Sequence, residues 1–466
     1  MQFIGRNLEL ENLDNLYQNP KANLVVVYGR RRVGKSTLIE KYSKNKPHLI
    51  FEGLENASTK DQIKQFTNDL VKQINEPLLR NAKFEDWSGP FDYLTDYFKN
   101  HKKKIIFFMD EFQWLAVNQS KLVSLIKHYW DRHWSKQNVM LILCGSLSSY
   151  MIKKVISSKA LYGRINWELC LQPMDPKEIY QLLDVKRSQD EVLLYAMILG
   201  GIPKYLQEID PNKSFDQNIN RLFFTSNGLF VNEYNRIFYS QFKEHKTYEA
   251  IVNEIKNTPL SLDDIAKKIK STSGGGLKSY LDNLQKAAFI SSFVPYNKNL
   301  NSKLIRYKLT DEYLRFYLKY VMPNIKLIQS NTSRNLFSQL IKPVWQPWLG
   351  YAFENFCLKN AYYLSERMGF ADQVLQWGPL FHQGDTKFQV DLVFVRQDNV
   401  ITVCELKYHA QPIGVEIVSE MERKCALLTL PRGFTLEKAL ISRFGADPSL
   451  KSLGYFHHLI CANDYF

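Results

Sequence analysis

The sequence predicts an α/β fold whose first part is a parallel sheet, and two observations carry this prediction. The apolar run at residues 24–28 leads directly into a glycine-bracketed loop at 29–34 and the start of a helix. Two further apolar runs, at residues 105–109 and 139–144, are too short for typical helices and stop at acidic or small polar residues. Strands buried on both faces have this composition, and they occur in parallel sheets covered by helices.

Length and composition limit the class of protein. At roughly 100–200 residues per domain, 466 residues predict about three domains. There are 61 Lys and Arg against 47 Asp and Glu, and this net charge of +14 suggests a polyanionic partner or serves solubility alone. The six cysteines are scattered without a C-x-x-C pair, which argues against zinc sites and disulfides. No leader pattern and no apolar run of ~18 residues is present. We therefore expect a cytoplasmic protein that does not contact membranes.

The loop after the first strand has the sequence GRRRVGKST at residues 29–37. It fits the pattern G-x-x-x-x-G-K-[ST], in which loop N–H groups and the positive end of the next helix face bound phosphates. In this pattern Lys35 reaches the β- and γ-phosphates, and Ser36 is a ligand of Mg²⁺. An ordinary strand-to-helix turn is the alternative. The predicted nucleotide-binding residues are Gly29, Arg30, Arg31, Arg32, Val33, Gly34, Lys35, Ser36 and Thr37.

The second buried run ends in two carboxylates, Asp110 and Glu111. In nucleotide hydrolases with such a strand, the first acid holds Mg²⁺ and the second polarises the attacking water. A polar cap at the strand end is the alternative. Ser146, after the third run, is the predicted sensor of the γ-phosphate. Arg164 would offset transition-state charge, in cis or from a neighbouring subunit of a homo-oligomer, unless it is a solvated surface arginine.

Six motifs occur in one order: IGR at 4–6, GRRRVGKST, FFMDEF at 107–112, CGS at 144–146, LYGR at 161–164 and LGGIPKYL at 199–206. Together they resemble the archaeal-type ATPase family, P-loop ATPases related to the AAA+ and STAND classes that often carry a DUF234-type C-terminal region. The resemblance implies ATP and Mg²⁺ as cofactors. It also implies that Gly5 and Arg6 lie near the adenine and that Pro203, in a helical lid, contacts the nucleotide. A helix stop is the other interpretation of the turn before Pro203.

A change of pattern after residue 240 predicts a winged helix. One helix runs from 248 to 256, Ser261 is the expected N-cap of a second, and a third covers 277–288. Two strand-like runs, at 289–296 and 304–309, flank a loop at 297–303. Such domains lay the third helix in the DNA major groove or mediate contacts within the protein, and both alternatives stay open here.

The last part of the chain predicts a strand pair with charged residues on one face. Runs at 388–395 and 400–408 flank a short turn, and Glu405 and Lys407 share a face because strand side chains alternate. Asp391 lies on the preceding strand, and Glu354 on a helix predicted at 348–363. This pattern resembles the PD-(D/E)XK nucleases, with Gln389-Val390-Asp391 in place of Pro-Asp. The resemblance implies a restriction-endonuclease-like domain in which Glu354, Asp391 and Glu405 hold Mg²⁺ or Mn²⁺ and Lys407 positions or activates water.

The predicted organisation is therefore a P-loop ATPase core at 1–170, a helical lid at 171–240, a winged helix at 241–323, a linker at 324–346 and a nuclease-like domain at 347–466. We expect a protein that binds and hydrolyses ATP and acts on DNA, with a metal-dependent nuclease-like domain controlled by nucleotide state. The alternative is a STAND-type regulatory or defence switch whose C-terminal domain binds DNA or a partner without cleaving.

Overall fold

The computed structural model describes residues 3–77, 79, 82–116, 120–146, 151–183, 187–241, 245–294, 305–330, 335–383 and 387–466. The chain divides into two compact units. The first comprises Met1–Pro173 with Gln241–Lys243, and the second comprises Met174–Ser240 with Glu244–Phe466.

The first unit is a five-stranded parallel sheet flanked by helices, as predicted. Its strands are β1 (Asn23–Gly29), β2 (His48–Glu52), β3 (Ile105–Asp110), β4 (Val139–Ser146) and β5 (Trp167–Cys170). Its helices are α1 (Asn7–Gln18), α2 (Lys35–Ser43), α3 (Thr59–Ile74), α4 (Ser88–Lys99), α5 (Phe112–Ala116) and α6 (Ser120–Arg132). The strand order is β2-β3-β4-β1-β5, and every pair is parallel.

The strand sequences explain the position of this sheet in the core. Every residue of β3 and β4 is buried, as expected for strands covered on both faces. Aromatic side chains fill the space between sheet and helices: Phe51 stacks on Phe66 with ring centroids 3.8 Å apart. Because parallel strands end at one edge, the carboxyl ends of β1, β3 and β4 bring the predicted nucleotide-binding residues together.

The second unit begins with a group of helices, followed by a segment of helices and a small antiparallel sheet. The first group is α7 (Pro176–Leu183), α8 (Gln189–Leu199), α9 (Pro203–Leu206), α10 (Phe215–Phe223) and α11 (Glu233–Gln241). The next is α12 (His245–Ile255), β6 (Leu260–Ser261), α13 (Leu262–Lys268), α14 (Gly275–Lys286), β7 (Ile290–Phe293), β8 (Arg306–Leu309) and α15 (Glu312–Phe316). We call the described residues between 245 and 316 the helix–hairpin segment.

The helix–hairpin segment has the elements that the sequence predicts. The three strands pair antiparallel in the order β6-β8-β7. Ser261 is the N-cap of α13, and its hydroxyl accepts a hydrogen bond from the backbone N–H of Asp264 at 3.2 Å. The predicted loop at 297–303 lies outside the described residues.

The C-terminal domain is built on a five-stranded mixed sheet. Its elements, after α16 (Ile325–Ser330), are α17 (Gln346–Lys359), α18 (Ala361–Arg367), β9 (Val374–Gln383), β10 (Lys387–Arg396), β11 (Val400–Lys407), α19 (Ile417–Ala426), β12 (Thr435–Ser442), α20 (Pro448–Ser452) and β13 (His458–Cys461). The order is β13-β12-β11-β10-β9. The β9–β10 and β10–β11 pairs are antiparallel, and the pairs on the other side of β11 are parallel. Short π-helical turns lie at Met151–Ile156, Tyr317–Val321 and Phe337–Ile341.

Two predictions for this region need correction. The segment at 324–346 is not an open linker: its described part is helical, Phe337 is fully buried, and Ile341 is 4% exposed. Its Ser and Asn residues suggested a loop, but the apolar residues at 337 and 341 are spaced to share one helix face. The helix predicted at 348–363 is two helices, because α17 ends at Lys359 and Asn360 separates it from α18.

Polar contacts join the parts of the second unit. Arg443 of the C-terminal domain forms a bidentate ion pair with Asp190 of α8. Glu312 of α15 accepts two hydrogen bonds from Lys359 of α17, at 2.7 and 2.9 Å. The side chain of Asn355, also on α17, donates to the backbone oxygen of Thr310 at 2.9 Å. The helices before residue 241, the helix–hairpin segment and the C-terminal domain therefore share specific side-chain contacts.

Candidate functional site

The phosphate-loop motif forms the turn between β1 and α2. Gly29 ends β1 with φ 150°, and a Cβ there would lie 2.7 Å from the backbone oxygen of Leu171. Gly34 has φ 91° and Arg32 has φ 69°, a left-handed conformation that side chains other than glycine rarely adopt. Val33 is fully buried. Since α2 starts at Lys35, the loop opens onto a helix N-terminus, the arrangement that binds phosphate.

Lys35 and Arg6 both lie against this loop. The Lys35 side chain is 7% exposed, and its ammonium donates to the backbone oxygens of Gly29 at 3.3 Å and Arg30 at 3.0 Å. The Arg6 guanidinium donates to the oxygen of Gln172 at 2.8 Å and lies 3.5 Å from that of Val33. The entry segment that contains Gly5 and Arg6 is thus next to the phosphate loop.

Three carboxylates lie at the carboxyl edge of the first sheet. Asp110 is 8% exposed, and one of its carboxylate oxygens accepts the backbone N–H of Glu111 at 2.9 Å. Glu111 has φ 44°, and Gln113 donates a hydrogen bond to its carboxylate. Glu52, at the end of β2, pairs in register with Asp110. Burial, Asp110 and Glu111 together raise the pKa of Glu52. Sequence reasoning missed Glu52, although its place at a strand end is the same signal that identified Asp110.

The remaining predicted residues of the ATPase part differ in their surroundings. Ser146 ends β4 in register with Gly29, and its buried hydroxyl has no hydrogen-bond partner among the described residues. A buried hydroxyl without a partner can donate a hydrogen bond to a ligand oxygen. Arg164 forms a bidentate pair with Asp131, at 2.6 and 2.9 Å, and would have to leave it to reach a phosphate. Pro203 is the first residue of α9, in the second unit.

The C-terminal domain brings Asp391, Glu405 and Lys407 together. The β10–β11 register pairs Leu392 with Cys404, so Asp391 lies at the level of Glu405. A carboxylate oxygen of Asp391 accepts the backbone N–H of Leu406 at 3.1 Å. The Lys407 ammonium lies 2.8 Å from a carboxylate oxygen of Glu405. The three side chains line one cavity of about 420 Å³ together with Glu354 of α17. We call Glu354, Asp391 and Glu405 the carboxylate cluster.

Two side chains of α19 complete this arrangement. The Lys424 ammonium donates to both carboxylate oxygens of Glu405, at 2.7 and 2.6 Å. Glu420, one helical turn earlier, accepts from Lys407 at 3.3 and 3.2 Å and pairs with Lys424 at 3.2 Å. Lys424 is a site residue that the sequence analysis does not identify. Glu405 is 1% exposed, so its charge is balanced by lysines rather than by water.

The electrostatics of the cluster follow from burial and crowding. Burial raises the pKa of Asp391 to about 7, and the carboxylates of Glu405 and Glu354 add to the shift. Burial also raises the pKa of Glu354, while Lys308, Arg315 and Lys407 oppose the shift. A cation placed among these oxygens would favour their ionised forms.

The carboxylate cluster fits a divalent cation only in part. Carboxylate oxygens are the ligands that Mg²⁺ and Mn²⁺ prefer, and Asp391 with Glu405 supplies four such oxygens in one cavity. However, among the described residues no group of three or more His, Cys, Asp or Glu side chains is placed to hold an ion together. The chemistry of Asp391 and Glu405 fits such an ion, but Glu354 stands apart from them and the Lys424 ammonium holds both oxygens of Glu405.

Two family models match the chain. Residues 3–209 match an ATPase domain found predominantly in Archaea, and residues 317–423 match a family of archaeal and bacterial proteins of unknown function. These matches confirm the predicted resemblance, and the N-terminal part is a P-loop domain of the ATPase type.

Three individual proteins are similar to this chain. An uncharacterized protein of Methanocaldococcus jannaschii is 28% identical over 401 residues, which is 85% of this chain and 85% of that protein. An uncharacterized ATP-binding protein of Pyrococcus abyssi is 24% identical over 226 residues, or 44% of this chain and 69% of that protein. A solved Walker-type ATPase of Pyrococcus abyssi is 19% identical, with 68% of this chain and 96% of that chain covered and a TM-score of 0.49.

None of the described helices is long and apolar enough to span a lipid bilayer.

Proposed function

We propose that this protein binds and hydrolyses ATP at the phosphate loop and acts on DNA through a metal-dependent nuclease site in its C-terminal domain. One observation carries the nuclease part: Asp391, Glu405 and Lys407 line one cavity on adjacent strands. The net charge of +14 supports a polyanionic substrate. The protein would work in the cytoplasm, as a monomer or a homo-oligomer.

At the phosphate loop, the chain's own residues divide the work of hydrolysis. Lys35 would contact the β- and γ-phosphates once its ammonium leaves the loop oxygens, and Ser36 and Asp110 would hold Mg²⁺. Glu111 orients and polarises the attacking water, and Ser146 hydrogen-bonds the γ-phosphate. The carboxylate of Glu52 would add to the negative charge around Asp110 and so favour a divalent cation.

In the C-terminal domain, Asp391 and Glu405 would hold Mg²⁺ or Mn²⁺, and Glu354 would approach from α17. The bound ion supplies Lewis-acid activation of a phosphoryl oxygen and of water. Lys407, next to Glu405, would position that water. Glu420 holds the Lys407 ammonium on its other side and so limits its position.

Contacts in the second unit support control by nucleotide state. Gly200 stands just before the turn that contains Pro203 and has φ 63°. A Cβ at Gly200 would lie 2.6 Å from a carboxylate oxygen of Glu312. Glu312 is paired with Lys359 on α17, the helix that also carries Glu354. A nucleotide that moved the turn would therefore act on α17 through Glu312.

A switch that binds DNA without cutting it is the second candidate function. The specific observation that favours it is the Lys424–Glu405 pair, which neutralises a predicted metal ligand with a side chain. In that case nucleotide state controls binding or assembly, as in STAND-type proteins.

Incubation of the full-length protein with plasmid DNA, ATP and Mg²⁺ or Mn²⁺ separates the two functions. Cleavage that is lost in Glu405→Ala, and kept in the exposed control Glu366→Ala, supports the nuclease. DNA binding without cleavage at any metal concentration supports the switch. DNA binding should weaken steeply with salt, because phosphate contacts release counterions. An affinity that does not change with salt would remove DNA as the partner.

A further inference from the structure

Two cations of the helix–hairpin segment lie beside the carboxylate cluster of the C-terminal domain. Lys308 is on β8, where it pairs in register with Ser291 of β7. Arg315 is on α15, and its guanidinium donates to the backbone oxygen of Tyr351 on α17 at 3.1 Å. Tyr351 and Glu354 line the same cavity as Asp391 and Glu405. Arg315 is therefore held over the helix that forms one wall of the site.

The contacts of these cations are incomplete. The second terminal nitrogen of Arg315, Nη1, is buried and has no hydrogen-bond partner among the described residues. No ion pair or hydrogen bond of the Lys308 ammonium is found in the described part of the chain. A buried donor without a partner is unfavourable, so such groups usually have a ligand or water as partner.

Lys308 lies close enough to the carboxylate cluster to interact electrostatically with its carboxylates. Glu354 and Asp391 both act on it electrostatically, although neither is within ion-pair distance. Burial and the neighbouring Arg315 oppose its charge and lower the pKa of Lys308 to about 8. Lys308 also lines a cavity of about 210 Å³ between β7 and β9, with Asn355 and Trp377.

A role as simple counter-charges does not explain this arrangement. Lysines that neutralise the cluster contact it directly, as Lys424 and Lys407 do with Glu405 at 2.6–2.8 Å. Lys308 and Arg315 instead repel each other, and Nη1 of Arg315 is a buried donor without a partner in the described part of the chain. An anion bound between them would satisfy this donor and remove the repulsion. Arg and Lys are the side chains that bind phosphate in this way.

We infer that Lys308 and Arg315 bind a backbone phosphate of the nucleic acid next to the carboxylate cluster, so that the helix–hairpin segment completes the C-terminal site. This inference rests on the proposed function. It places the substrate against the helix–hairpin segment and the C-terminal domain at once. The recognised group is a phosphodiester within a strand rather than free phosphate, because Lys308 also lines a second cavity, between β7 and β9, that can take the neighbouring part of a strand.

The test measures DNA binding by the full-length protein, with Ca²⁺ in place of Mg²⁺ so that bound DNA is not cleaved. The probes are a fluorescein-labelled single strand and the matching duplex, each titrated over a series of salt concentrations. Lys308→Met removes the charge and keeps the chain length. Lys308→Arg restores the charge, and Lys319→Met removes an exposed lysine nearby as the matched control. Arg315→Gln keeps a donor for the Tyr351 oxygen but removes the charge.

Lys308→Met should weaken DNA binding about tenfold and lower the slope of log affinity against log salt by about one unit. Lys308→Arg should return both values to the parent level, and Arg315→Gln should act in the same direction as Lys308→Met. Inorganic phosphate should compete only weakly; strong competition would mean that the site takes free phosphate instead. If Lys308→Met matches Lys319→Met in affinity and slope while the parent binds DNA, the inference is wrong and the proposed function stands. If the parent binds neither probe at any salt concentration, both are wrong.

Discussion

Lys424 donates hydrogen bonds from its ammonium to both carboxylate oxygens of Glu405, at 2.7 and 2.6 Å. A side chain of α19 thus holds the oxygens that the nuclease hypothesis assigns to a metal ion. A divalent cation would have to displace this ammonium, and the balance between the two decides whether the C-terminal domain can cleave.

Replacing Lys424 by Met should make the protein more dependent on metal. Glu405 would lose its closest cation, and an uncompensated buried carboxylate costs about 3–5 kcal/mol, reduced here by the remaining Lys407 contact. We expect a lower midpoint of thermal unfolding without metal and a larger rise on adding Mn²⁺ than in the parent. The exposed Lys451→Met is the control. An equal response to Mn²⁺ in both proteins would remove Glu405 from the metal site.

The carboxylate cluster predicts how stability changes with pH. Folded Asp391 keeps its proton up to about pH 7, whereas the unfolded group releases it near 3.8. The stabilisation from Asp391 is therefore complete below pH 3.8 and is lost as the pH rises through 7. In Asp391→Asn the free energy of unfolding should fall less over this pH range than in the parent, by a few kcal/mol at most. Urea denaturation at a series of pH values measures it, with the exposed Asp372→Asn as control. If the free energy of unfolding depends on pH in the same way in Asp391→Asn and in the parent, the raised pKa of Asp391 is wrong.

Lys35→Ala should abolish tight ATP binding. The ammonium already points to the loop oxygens, and it is the residue whose full charge the motif directs at the phosphates. The loss of such a charge-assisted contact corresponds to about a tenfold to hundredfold weaker affinity. Calorimetry with ATP and Mg²⁺ measures it, and Lys41→Ala, exposed on the same helix, should bind as the parent does. An unchanged affinity in Lys35→Ala would place the phosphates elsewhere.

Glu111→Gln should keep ATP bound while slowing its hydrolysis about 10²–10⁴-fold. The amide is nearly the same size as the carboxylate but cannot polarise water. Steady-state turnover and ATP affinity, measured on the same preparation, separate the two effects. Glu55→Gln, an exposed residue of the same unit, is the control. If turnover in Glu111→Gln equals that of the parent, Glu52 is the next candidate for this role.

The sequence was sufficient to predict those features that depend on local patterns. Alternation along β11 and the short turn before it placed Glu405, Lys407 and Asp391 in one cavity. The motif at 29–37 placed Lys35 at the start of a helix. In both cases the geometry is fixed by neighbours within a few residues, so periodicity and turn length are enough.

Features that depend on long-range packing could not be predicted. Lys424 reaches Glu405 because α19 packs across the sheet. The orientation of a helix on a sheet depends on packing contacts that the sequence of the helix alone does not predict. Lys308 and Arg315 approach Glu354 from another part of the chain. The polar residues of the segment at 324–346 predict a linker, whereas the structure buries five of its apolar side chains: Ile328, Leu336, Phe337, Ile341 and Trp345.

The ion pair between Arg443 and Asp190 has a consequence for how such proteins diversify. Arg443 comes from the end of β12 and Asp190 from α8, and nearby Phe466, the last residue of the sequence, has its ring centroid 5.7 Å from that of Tyr180 on α7. Gene fusion that replaced the C-terminal domain by an unrelated one would leave Asp190 without its ion pair to Arg443 and Tyr180 without its contact to Phe466. An exchange that kept α7, α8 and the C-terminal domain together would preserve both contacts.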